Sequence, residues 1–147
     1  MVGPGRSRTV ATFNRARAYT FRVIIADTGG LTATSSVSVT VNQVLSSIVV
    51  TPSSVTLAFR AQQQFSAEAL DQFAQAMAIQ PSFNWSTFSG RGSINKTGLY
   101  TTPASGTGTA VIQAKADGKA GKATITIVPN TVVAARKNRK PSSRHIA

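Results

Sequence analysis

The sequence contains no cysteine, which excludes disulfides and thiolate metal ligands. Carboxylates are almost as scarce: Glu68 is the single glutamate, and Asp27, Asp71 and Asp117 are the only aspartates. So few acidic groups leave little material for paired general acid–base chemistry or for a hard-cation site, which needs several oxygen ligands. The one histidine, His145, has no nucleophile, base or ligand set matched to it. No catalytic residue, bound metal or cofactor is therefore expected. No apolar run approaches the ~18 residues that a membrane-spanning helix requires, so no membrane span is expected either. The opening MVGPGRSRTVATFNRARA carries positive charge with no apolar stretch behind it, and no signal peptide is expected there.

What remains is rich in Thr, Ser, Val, Ala and Gly, and its 147 residues suffice for one ordinary domain with a real core. The net charge of +12 invites a polyanion reading, so its distribution matters. Residues 1–44 carry five arginines against Asp27, and residues 45–128 carry six basic side chains against three acidic ones. Residues 129–147 carry five basic side chains and no acid. A flexible basic N-terminus over 1–17 and a disordered basic tail over 130–147 are expected. In the tail Arg136, Lys137, Arg139, Lys140 and Arg144 are the candidate contacts to a polyanion or nucleic acid.

One stretch imitates a nucleotide site. Residues 90–97, GRGSINKT, differ from the phosphate-cradling pattern G-x-x-x-x-G-K-[ST] only in Asn95. That loop must open a helix at its Lys-Ser/Thr pair, whereas here GLYTTP follows, with a Gly and then a Pro within six residues. A turn built by Asn95, Lys96 and Gly98 is the expectation. Asp27 before Gly29-Gly30 is read the same way, as a turn-capping residue, because one carboxylate is too few for calcium. Asn84-Trp85-Ser86 and Asn95-Lys96-Thr97 match the N-glycosylation pattern, as chance predicts in a chain so rich in Ser and Thr. Lys115, Lys119 and Lys122 crowd a hairpin tip around DGKAGK and read as a solvated turn, with a small cationic patch as the alternative.

The periodicity is that of strands. Tyr19, Phe21, Val23 and Ile25 alternate with polar or outward positions, as do Val37, Val39 and Val41, around a Gly-Gly loop, and predict a β-hairpin over 18–42. An isolated hairpin is marginal in water. This one is expected to pack on the following domain, to pair with another chain, or to be poorly ordered. From Leu45 onward come short alternating segments: SSIVVTP, SVTLAF, SFNWSTF, GTGTAVIQAKA and KATITIVP. They argue for a sandwich or barrel. Only AFRAQQQFSAEALDQFAQAMAIQ is ambiguous: propensity favours a helix, while Phe65, Ala67 and Ala69 alternate as in a strand.

The phrases IVVTPSSVTL, QQQFSAEALDQF, FNWST, INKTGLYTTP and GTAVIQAKADGKAGKATITIV, in this order over residues 45–129, resemble a bacterial immunoglobulin-like domain of the group 2 repeat type. Residues 12–41 resemble the last two strands of a cadherin-like or polycystic-kidney-disease-type repeat. The resemblance implies an all-β, immunoglobulin-like antiparallel β-sandwich of about seven strands, preceded by the C-terminal hairpin of an upstream module. It places QQFSAEALDQ in a strand and FAQAMAIQP in a loop, and makes Trp85 the core tryptophan of the third strand. Tyr100 is read as a core or corner tyrosine. The implied function is a non-catalytic structural or adhesion module, a spacer or binding stalk in a longer secreted or cell-surface chain. Its implied partners are neighbouring modules and an unspecified protein or glycan. Polyanion binding through the basic arms is the alternative.

Overall fold

The computed structural model describes residues 9–131, and every element among them is a β-strand. β1 (Ala18–Ala26) and β2 (Thr32–Thr40) form a hairpin. β3 (Leu45–Thr51), β4 (Ser54–Ala58), β5 (Gln62–Gln64) and β6 (Ser66–Asp71) follow. Then come β7 (Asn84–Ser89), β8 (Ser93–Ile94), β9 (Leu99–Thr101), β10 (Gly108–Ala116) and β11 (Lys119–Val128).

One layer of the sandwich is the sheet β4-β11-β10-β7. The facing layer is made of the pairs β3-β6 and β5-β9-β8, which run on from each other. β5 and β6 are separated only by Phe65, whose N–H donates to Gly98 O at 2.8 Å, so the two segments act as one strand kinked at a buried aromatic. β3 and β4 likewise belong to one interrupted strand. Pro52 has no N–H to give a ladder, and at Pro52-Ser53 the chain leaves β6 and crosses to β11 in the opposite layer. Counted this way, the nine segments after the hairpin are seven strands, as the family resemblance implies. The pairings are antiparallel except one: β4 runs parallel to β11, from Ser54 opposite Thr124 to Ala58 opposite Val128.

The ambiguous stretch is strand as far as Asp71 and loop beyond it, not helix. Phe65 and Ala69 are buried and Ala67 is half-buried, so period-2 burial overrides helix propensity there. The core collects Ile48 and Val50 from β3, Phe65, Tyr100, Ile112 and Ala114 from β10, and Ala123, Ile125 and Ile127 from β11. Trp85 on β7 packs against it, half-buried. The layers approach closely at Gly121, where an added Cβ would lie 2.5 Å from Ile48 O. A side chain has no room there.

The hairpin is fully formed, with nine residue pairs from Ala18–Thr40 to Ala26–Thr32. One face carries Tyr19, Phe21, Val23, Ile25, Val37 and Val39, and the other carries Thr20, Arg22, Ile24, Thr34, Ser36 and Ser38, with Thr20 Oγ1 and Ser38 Oγ 3.3 Å apart. The apolar face does not pack on the sandwich. Its base is sheltered by Phe13, whose ring lies 4.8 Å from Tyr19 and 6.0 Å from Phe21, while Val23, Ile25 and Val37 remain 54, 66 and 56% exposed.

Candidate functional site

Three turns of the molecule are the same object. At Asp27, Asp71 and Asn95 the side-chain Oδ1 accepts the backbone N–H two residues on (2.9, 2.9 and 3.0 Å) and four residues on (2.9, 3.0 and 2.9 Å). In each, the backbone N–H of the Asp or Asn bonds to the carbonyl four residues later, and the residue at the fourth turn position has positive φ. Those residues are Gly30 (84°), Ala74 (57°) and Gly98 (83°). The short acidic or amide side chain satisfies turn N–H groups that would otherwise point into solvent. So GRGSINKT is a strand–turn–strand, with Asn95 fully engaged by Thr97 and Leu99, and Asp27 is a turn cap.

Tyr100 is completely buried, and its hydroxyl donates to Arg91 O. Burial raises its pKa above the ordinary phenol value. Ring and hydroxyl are both consumed by packing, which makes it a corner residue. The cationic tip also has form: Asn84, Lys115, Asp117 and Lys119 line a shallow cavity of about 320 Å³ at the β10–β11 turn. Lys122 is committed elsewhere, its Nζ 3.5 Å from the centre of the Phe88 ring. Lys115 and Lys119 thus share one cavity, while Lys122 stands apart from them. Among the described residues, no three His, Cys, Asp or Glu side chains are grouped to hold a metal ion. Arg136, Lys137, Arg139, Lys140, Arg144 and His145 lie outside the described residues.

Among the described residues, one densely connected polar cluster is missed by sequence reading. It is built by Gln43, Gln72, Gln80 and Asp71 around the loop between β6 and β7. Gln80 folds back on β6, accepting from Ala69 N at 2.7 Å and donating to Ala69 O at 3.1 Å. Gln43 Nε2 donates to Asp71 Oδ2 (3.0 Å) and Ala76 O (3.1 Å), and its Oε1 accepts from Ala78 N (2.8 Å). Gln72 brackets the segment before β3, accepting from Val44 N and donating to Asn42 O, both at 2.8 Å. Asp71 is buried, which by itself raises a carboxyl pKa, but the bond from Gln43 and the N–H groups of Gln75 and Phe73 outweigh it and hold the pKa below the ordinary value. The only signal in the sequence is glutamine enrichment beside an aspartate. Among the described residues, no buried side-chain polar atom lacks a partner, and no helix is long and apolar enough to cross a membrane.

No protein-family model matches the chain, and no curated protein matches it by sequence. Solved structures do match in fold. The surface layer protein SbsC, domains 4–9, matches at TM-score 0.54 and 23% identity over 80% of this chain and 19% of its own. SbsC domains 1–6 match at TM-score 0.52 and 18% identity over 80% of this chain and 20% of theirs. The two-domain structure of SbsC domains 4 and 5 matches at TM-score 0.51 and 21% identity, over 65% of this chain and 59% of its own. The chain thus spans about a fifth of the longer surface-layer chains.

Proposed function

We propose that the chain is a non-catalytic structural module of a larger bacterial surface or secreted protein, a spacer or stalk element whose sandwich over 45–129 is a group 2-type immunoglobulin-like repeat. One observation carries the reading. A match over 80% of the chain covers about 118 residues, more than the 105 that follow Asn42, so it reaches back into the hairpin region. The match thus takes in at least part of the hairpin beside the sandwich, which supports reading the two as part of a chain of successive surface-layer domains. In this reading 18–42 closes an upstream module, and neighbouring modules are the partners. The exposed apolar hairpin face supports the division, because such a face needs the strands of a sandwich around it.

Antibodies raised against residues 45–129 test the proposal. Labelling of intact cells, lost when the surface is shaved with protease, is expected. Labelling only after permeabilisation overturns it.

The charge of +12 supports a second reading, polyanion binding by the arms through Arg136, Lys137, Arg139, Lys140 and Arg144. Heparin or DNA affinity would then fall steeply with salt and drop when 130–147 are removed. Affinity unchanged by that truncation ends this reading.

A further inference from the structure

We propose that the loop over residues 71–80 is a docking platform for the connection from the preceding module, and that it makes the joint between hairpin and sandwich stiff. The last hairpin bond runs from Val41 N to Arg17 O, and β3 begins at Leu45. Only Asn42, Gln43 and Val44 lie between them. All three are held: Asn42 by its carbonyl, Val44 by its N–H, and Gln43 by both ends of its side-chain amide.

The chemistry is that of an added strand. The Gln72 amide presents one acceptor and one donor to the backbone of 42–44, as a neighbouring strand would. The Gln43 amide reaches the other way, into the loop, and spans Asp71, Ala76 and Ala78. The loop is itself anchored, by the Asp71 turn at one end and at the other by Gln80 on Ala69 and by Met77 N on Ala69 O at 2.9 Å. A three-residue Gly/Ser connection would leave two modules swivelling. Here five hydrogen bonds cross between connection and platform, so the direction of the hairpin is set by the sandwich. The inference rests on the modular reading and deepens it, since a spacer with stiff joints projects what it carries instead of coiling.

Backbone ¹⁵N relaxation and amide exchange on the whole chain test this. Order parameters of about 0.85 at residues 42–44, as in rigid backbone, and a hairpin tumbling time equal to that of the sandwich are expected. Gln43→Ala and Gln72→Ala should each drop 42–44 below about 0.6. Gln72→Ala should also speed exchange at Val44 about tenfold, the loss of one hydrogen bond. Gln64→Ala removes a comparable side-chain bond, to Thr97 O at 2.6 Å, and should leave 42–44 unchanged. Values below about 0.6 at 42–44 in the unaltered protein overturn the proposal. So does a rigid connection that both glutamine variants leave rigid while the sandwich still melts cooperatively. If instead β1 and β2 are mobile while 42–44 stay rigid and glutamine-dependent, the loop still docks the connection, but the stiff joint is overturned along with the reading of 18–42 as part of a folded module.

Discussion

Hairpins β1–β2 and β10–β11 each pair nine residues with nine, and in each one face is mainly apolar and the other mainly polar or charged, with Ile24 and Val111 as exceptions. In β10–β11, Ile112 and Ile125 are fully buried, because β7 and β4 extend the sheet on both edges and β3 covers its inner face. In β1–β2 the equivalent Ile25 is 66% exposed. Alternation is enough to make a hairpin, but burial depends on what is brought against it. A fully buried aliphatic side chain contributes about 1.5–3 kcal/mol over an exposed one, so stability should reside in one hairpin and be nearly absent from the other.

The sharpest way to break this contrast is a matched pair of truncations. Ile125→Ala should cost about 2–5 kcal/mol, the transfer loss plus the cavity left behind, out of the 5–15 kcal/mol typical of a domain. Ile25→Ala should shift the denaturant midpoint by no more than about 0.5 kcal/mol equivalent, as for other surface sites. Comparable losses at the two positions would mean that the first hairpin is packed in solution. Next in size is Gly121→Ala, which tests how closely the layers of the sandwich meet. Its Cβ would press on the Ile48 carbonyl, which is backbone and cannot swing away, so a cost of about 1–3 kcal/mol is expected in urea melts.

A smaller effect should follow pH through Asp71. Its folded pKa lies below the ordinary carboxylate value of about 3.9. Its contribution is therefore complete above that value and is lost as pH falls through the folded pKa. Asp71→Asn should lower stability at pH 7, where the amide meets the Gln43 Nε2 donor with a donor of its own, and should flatten the acid limb below about pH 4. Melting curves from pH 7 to 2 that keep the same acid limb in both proteins would remove Asp71 from the account.

Much of this fold is legible from residue order. Alternation locates β1, β2, β10 and β11, and turn chemistry marks Asp27 as a cap and places Asn95 in a turn. Where legibility stops, side chains are acting as backbone. Gln72 and Gln80 complete ladders that no periodicity marks, and the same glutamines raise helix propensity over a stretch that is strand and loop. The parallel pairing of β4 with β11 is equally silent: Pro52 marks where the ladder to β6 ends, but no local preference says that the chain then joins β11.

The smallest effect probes the identity of the three Asx turns. Two of them place glycine at the position of positive φ, whereas Ala74 adopts φ 57° with a Cβ. That conformation costs an L-residue roughly 1–2 kcal/mol, and glycine returns about 0.5–1 kcal/mol of this as extra unfolded-state entropy. Ala74→Gly should therefore stabilise the sandwich by up to about 1 kcal/mol. Gly98→Ala is no clean converse, because its Cβ would also lie 2.5 Å from Phe65 O. Gly30→Ala meets nothing within 4 Å, but it sits in the hairpin that carries little of the folding free energy. Only Ala74 combines an unobstructed conformational term with a place in the cooperative unit. If Ala74→Gly lowers the melting temperature, the methyl group is packing against the loop over 71–80, and the platform beneath the module joint is tighter than its hydrogen bonds alone require.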